Sequence, residues 1–161
     1  MNVPTYWYFY PMSDTSMFAK LMADFGRALG IAHLAPSAEG VCQFWVDGRH
    51  LVQVVDASDH DLVFLSCRLA DHVIDDAQAA RMARANFMQA GRGVVLCVAP
   101  DGRPHMQLAL GRADCQAEAL IEALEALLEQ AENWVQGKDT QQAGPRRGLG
   151  GSNPAVLLQS V

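Results

Sequence analysis

The sequence predicts an α+β fold: an antiparallel twisted sheet flanked by helices, in the order α-β-β-β-α-β-β-α. Three observations predict it. Apolar residues recur at helical spacing in three stretches. Strand-like runs come in blocks of three and two. Within each block the runs are joined by turn sequences and not by crossover helices. Runs of antiparallel strands between helices belong to α+β proteins rather than to βαβ repeats. The chain has 161 residues, 50% of them hydrophobic and 19% charged, which suits one folded domain with a real core.

Residues 1–12 form an aromatic lead-in, with Tyr6-Trp7-Tyr8-Phe9-Tyr10 between Pro4 and Pro11. The lead-in can cap the fold, contact a ligand or hang loose. Ser13 and Asp14 are good N-cap residues for a helix over 15–29. Met17, Phe18, Leu21, Met22, Phe25 and Leu29 make its apolar stripe, and Gly30 stops it. Strands follow at 41–47 (VCQFWVD) and 51–56 (LVQVVD), around an Asp47-Gly48-Arg49 turn that signals a hairpin. A turn at 58–61 leads to a third strand, 62–69 (LVFLSCRL).

Asp75 and Asp76 open a second helix running to about Ala90, where acids favour the helix dipole. Its apolar residues are mostly small (Ala77, Ala79, Ala80, Ala83, Ala85, with Met82, Phe87 and Met88) and they surround the helix. Such a helix is usually buried on more than one side. One side can face its own sheet, and a second subunit is the simplest cover for the other. Strands at 94–99 and 105–111 flank a turn at Pro100–Pro104. Asp114 is expected to cap the last helix, which runs to about Gln136 and is roughly 34 Å long. Its acids, Glu118, Glu122, Glu125, Glu129 and Glu132, form a face without a basic residue. Such a row is most simply solvated, and it also suits attraction to a basic partner. Residues 1–137 then read as a single domain and 138–161 as a flexible Gly/Pro/polar tail, with VLLQ at 156–159 as a short apolar patch that can dock back.

The formal net charge of −6 is unevenly spread. Residues 1–137 hold 17 acids and 9 bases, while the tail sets Asp139 against Lys138, Arg146 and Arg147, giving −8 and +2. An acidic body repels phosphate backbones, so nucleic acid is not an expected partner. No secretory signal is visible, and no apolar run approaches the ~20 residues of a membrane helix, so neither a membrane nor export is expected.

Nothing in the sequence reads as an active site. Cys42, Cys67, Cys97 and Cys115 form no CxxC pair and read as small buried hydrophobes in a reducing compartment. His33, His50, His60 and His72 fall at predicted turns and His105 starts a strand, without ligand spacing for a metal. Gly91-Arg92-Gly93 follows a helix instead of preceding one, so it is no phosphate loop. Neither enzyme chemistry nor a cofactor or metal is expected.

The order of elements, with FAKLMADFGRALGI at 18–31, GVCQFWVDGRHLVQV at 40–54, DLVFLSCRL at 61–69, MARANFMQAGRGVVLCVAPDGR at 82–103 and a last helix ending in Ala131 and Trp134, resembles the Tir-chaperone (CesT-like) family of class I type III secretion chaperones. The Ala85-Asn86 pair is the most telling piece. The resemblance spans about residues 16–136 and leaves the lead-in and tail unexplained. It implies a homodimer in the bacterial cytoplasm that binds the N-terminal segment of a secreted effector as an extended chain, without ATP, and keeps it soluble and competent for secretion. A dimeric adaptor that sequesters a cytoplasmic regulatory partner is the alternative on the same scaffold.

Capture of an extended peptide needs sheet edges and apolar pockets. In the first strand Cys42, Phe44 and Val46 point one way, and Val41, Gln43 and Trp45 the other. Trp45 is then either covered by the last helix or a terminal segment, or is a platform for effector together with Val41 and Gln43. Phe18 and Met22 belong to a core-type stripe whose edges can still line a groove. Ala80, Ala83, Arg84, Phe87 and Met88 of the second helix are the expected dimer contacts.

Overall fold

Asp47 and Gly48 both adopt positive φ, and the Arg49 N–H donates to Val46 O at 3.0 Å. This is the backbone that a tight, primed hairpin turn demands, and it fixes the register of the first two strands. The computed structural model describes residues 15–88 and 93–137. The observed order is α1 (Thr15–Leu29), β1 (Val41–Val46), β2 (His50–Ala57), β3 (Leu62–Arg68), α2 (Asp76–Phe87), β4 (Val94–Val98), β5 (Pro104–Gly111) and α3 (Ala117–Val135). Short 3-10 turns span Ser58–His60 and Arg112–Asp114. The α+β class and the order of elements are those expected. The lead-in, the Ser13/Asp14 cap and the tail lie outside the described residues.

All strand pairs are antiparallel, and the sheet order is β1-β2-β3-β5-β4. Alternation decides the faces. Cys42, Phe44, Val52, Val54, Val63, Leu65, Cys67, Leu96 and Met106 point to one side and are buried. α1 and α3 cover that side with Phe18, Met22, Phe25, Leu120, Leu124 and Leu127. The Phe25 and Phe44 rings meet edge to face at 5.9 Å, joining helix to strand.

α1 ends in a Schellman motif: Gly30 is left-handed, the Ile31 N–H donates to Gly26 O and the Gly30 N–H to Arg27 O. A Cβ at Gly26 would sit 2.6 Å from Leu34 Cβ, so glycine is what lets the buried Leu34 fold back over the helix.

α2 opens with a capping box. Asp75 accepts the Gln78 N–H at 2.8 Å, and Gln78 Oε1 accepts the Asp75 N–H at 3.1 Å. α3 differs from expectation. Its N-cap is Gln116, and Asp114 lies in the preceding 3-10 turn without a capping role. The reason is local: Arg112 pairs with the largely buried Asp56 of β2, and its N–H donates to Asp61 O, which ties the turn to the sheet before the helix begins. At 19 residues the helix is about 28 Å long, shorter than the sequence estimate. His50, expected in a turn, is the first residue of β2.

Candidate functional site at the two sheet edges

The sheet has two edges, β1 and β4, and they are finished differently. Along an antiparallel pair, residues alternate between exchanging backbone hydrogen bonds with the neighbour and turning those groups outward. In β1 the Asp56 N–H donates to Gly40 O, which sets the phase. Cys42, Phe44 and Val46 therefore bond to β2, and Val41, Gln43 and Trp45 turn N–H and C=O outward. The Ser37 N–H takes Val41 O at 2.8 Å. The Gln43 N–H turns toward the Cys42 thiol, and among the described residues no backbone group of another strand bonds the outward groups of Gln43 or Trp45.

The same residues place their side chains on the face away from the helices. Gln43 is exposed, Val41 is half-buried, and Trp45 is 55% exposed. Among the described residues, α3 does not cover Trp45. Its neighbour is Arg68, whose guanidinium carbon lies 5.9 Å from the indole centroid and which also pairs with Asp71 at 2.9 Å. Trp45, Gln43 and Val41 thus share one edge and one face.

Phe18 and Met22, read as possible groove residues, are corrected by their burial. Both are core side chains, Phe18 at 3% and Met22 at 0% exposure. Their stripe faces the sheet, and helical apolar stripes serve the core first.

At β4 the outward groups belong to Val94, Leu96 and Val98. The Asn86 amide donates to Leu96 O at 2.8 Å and accepts the Leu96 N–H at 2.9 Å. One side chain thus plays the part of a neighbouring strand. It also holds α2 on this edge, where Met82 is buried and Ala85 packs partly on the core. The rest of α2 faces outward: Ala80, Ala83 and Arg84 are exposed, Phe87 is 86% exposed and Met88 63%. Val95 and Val98 add exposed apolar groups on β4. The five expected contact residues are therefore all exposed in the single chain. Sequence reasoning missed Val95 and Val98, whose exposure follows from β4 being an edge strand. It also missed the part played by Asn86, although the residue stood out.

The remaining polar chemistry is structural. Ser66 Oγ lies 3.0 Å from His105 Nδ1 on the outer face, and burial pushes the His105 imidazole below its ordinary value. Burial pushes all four thiols up, Cys67 and Cys115 to about 11, which leaves little thiolate for nucleophilic work. Among the described residues no cluster of three or more His, Cys, Asp or Glu can hold a metal ion, and no helix is long and apolar enough to cross a membrane.

A model of the Tir chaperone protein (CesT) family matches residues 20–135. The chain belongs to that family. The match takes in every element except the first turn of α1, and both sheet edges lie within it. Solved structures agree on the fold. One, described as the HopA1-SchA chaperone-effector complex, is 23% identical, covers 78% of this chain and 99% of its own, and superposes with a TM-score of 0.65. Another, of the ExsC-ExsE complex, is 20% identical over 78% of this chain and 96% of its own, at 0.68. A third, of the ExoT-SpcS complex from Pseudomonas aeruginosa, is 20% identical over 76% and 98%, at 0.55. No curated protein matches the sequence. This chain is thus a chaperone-family protein with the α+β architecture of those complexes.

Proposed function

We propose that this protein is a homodimeric type III secretion chaperone, without catalytic activity or cofactor, that acts in the bacterial cytoplasm. It binds the N-terminal segment of a secreted effector and keeps it soluble and competent for secretion. The observation that carries the reading is the β1 edge. Gln43 and Trp45 offer outward backbone groups and outward side chains together, which is what an extended segment needs for strand addition with side-chain contact. Family membership and the effector-bound complexes among the similar structures support it. The second surface, Ala80, Ala83, Arg84, Phe87 and Met88 with Val95 and Val98, is the proposed seat of the second subunit. Phe87, Met88, Val95 and Val98 are large apolar groups left exposed on α2 and β4, and a second subunit would cover them.

Pull-down with the full chain from its native cell tests the function. The expected catch is a secreted protein bound through its N-terminal region, reduced several-fold by Trp45→Ala. Capture of a cytoplasmic factor alone would favour the sequestering adaptor and remove the secretion reading.

A further inference from the structure

α2 owes its placement to few contacts. It has 12 residues, and Met82 is its buried side chain. A helix that short is marginal by itself in water, so tertiary contacts decide where it lies. The capping box of Asp75 and Gln78 is internal to the segment and does not orient it. Near the C-terminal end the Asn86 amide bonds both backbone groups of Leu96. Five residues earlier the Arg81 guanidinium carbon lies 4.2 Å from the centroid of the Trp134 ring in α3.

These two contacts fall at different places around the helix. At about 100° per residue, Arg81, Met82, Ala85 and Asn86 share roughly 140° of the circumference, and Ala80, Ala83 and Phe87 gather near the opposite side. Exposure follows this division. Met82 is buried, Ala85 and Asn86 are half-buried, and Ala80, Ala83 and Phe87 are exposed. Arg81 and Asn86 are the two margins of the inward arc. Asn86 alone leaves a hinge about which the helix can turn, whereas pinning the second margin fixes its roll. Trp134 is a firm platform for that second pin. It packs partly on the core, one turn after the fully buried Ala131, and its carbonyl accepts the Gly137 N–H at 3.1 Å. An indole is the best aromatic face for a cation, and arginine presents a planar cation that stacks on it.

We propose that Trp134 is a positioning residue for α2. Its ring holds Arg81, sets the roll of the helix and so aims Ala80, Ala83 and Phe87 away from the fold. The roll stands on the geometry of the contact. Its consequence for assembly rests on the proposed seating of the second subunit on this surface.

Peroxide oxidation of the methionines in the full chain, read by mass spectrometry, tests the roll. Met82 is 4% exposed, and Met17 on α1, at 60%, is the internal reference. Relative to Met17, Met82 is expected to oxidise about fivefold faster in Arg81→Gln and in Trp134→Leu. The double variant should be no faster than the singles, because the two side chains form one contact. Arg81→Lys keeps a cation for the ring and should stay within about twofold of the unaltered chain. The α2 amides should keep their protection against hydrogen exchange in every variant. Unchanged Met82 oxidation in both single variants overturns the proposal, as do effects that multiply in the double variant. Loss of amide protection across α2 also overturns it, because the pair then keeps the helix folded instead of aimed. Sedimentation separates this from the seating of the second subunit, and Arg81→Gln should weaken self-association about fivefold. If Phe87→Asp leaves the dimer intact, the seating fails and the roll stands on the oxidation rates. If Phe87→Asp breaks the dimer while Met82 oxidation is unmoved by the Arg81 and Trp134 variants, the seating stands and the roll assignment falls.

Discussion

The two edges of one sheet have the same backbone pattern and opposite finishes. Each turns three residues outward, Val41, Gln43 and Trp45 on β1 and Val94, Leu96 and Val98 on β4. On β4 a helix lies alongside, and the Asn86 amide takes both backbone groups of the central residue. What remains exposed there is apolar area, from Phe87, Met88, Val95 and Val98. On β1, among the described residues, Ser37 takes the Val41 carbonyl and the Gln43 N–H turns to the Cys42 thiol, and what remains is backbone hydrogen-bonding capacity beside one large aromatic. The difference teaches which kind of partner each edge suits. An apolar surface whose central backbone groups are taken favours a folded partner that buries area, whereas an open backbone favours an extended segment.

The largest effect is expected from undoing the closed edge. Asn86→Ala removes two hydrogen bonds and leaves the Leu96 N–H and C=O without partners, a loss of about 2–4 kcal/mol. Urea denaturation should show this as a lower midpoint. A change under about 0.5 kcal/mol would mean that α2 is held by its apolar contacts alone. Phe87→Asp comes next. Its ring is so exposed that the fold of one subunit should change by less than about 0.5 kcal/mol. The self-association constant should weaken at least tenfold in sedimentation, and an intact dimer would remove α2 from the interface.

Trp45→Ala tests the open edge. Stability should shift by less than about 1 kcal/mol, because the indole is more than half exposed and packs against Arg68. Effector capture should fall, so a stable variant with full capture would close the edge as a binding site. The smallest effect concerns pH. The folded His105 binds a proton less readily than the unfolded one. As pH falls below the ordinary imidazole value of about 6.5, the unfolded chain takes up the proton first and stability declines. His105→Gln should flatten that decline in thermal melts at pH 7 and pH 5. The wild-type slope surviving in the variant would assign the decline to other groups.

The sheet was legible because its alternation is regular. Cys42, Phe44 and Val46 alternate with Val41, Gln43 and Trp45 and so set the faces of β1, and the Asp47-Gly48 turn sets its register. The apolar residues of α2 surround the helix in sequence, and in the single chain Ala80, Ala83, Phe87 and Met88 are exposed. What was hidden depends on neighbours distant in sequence. That Asn86 would meet Leu96 requires knowing that α2 runs beside an edge. That Asp114 would not cap α3 requires knowing that Arg112 is held by Asp56, 56 residues earlier. Phe18 and Met22 sit on a stripe whose period is plain, but how deeply it is buried is set by the sheet that it meets.

The raised thiols have a further use as clocks. A cysteine held to about 11 exposes roughly one thiolate in 10,000 molecules at neutral pH, so a labelling reagent waits for the chain to open. Cys67 lies in β3, in the middle of the sheet, while Cys97 lies on the β4 edge. Their labelling rates in one protein, read side by side, would time how often the margin of the sheet loosens while its centre stays shut.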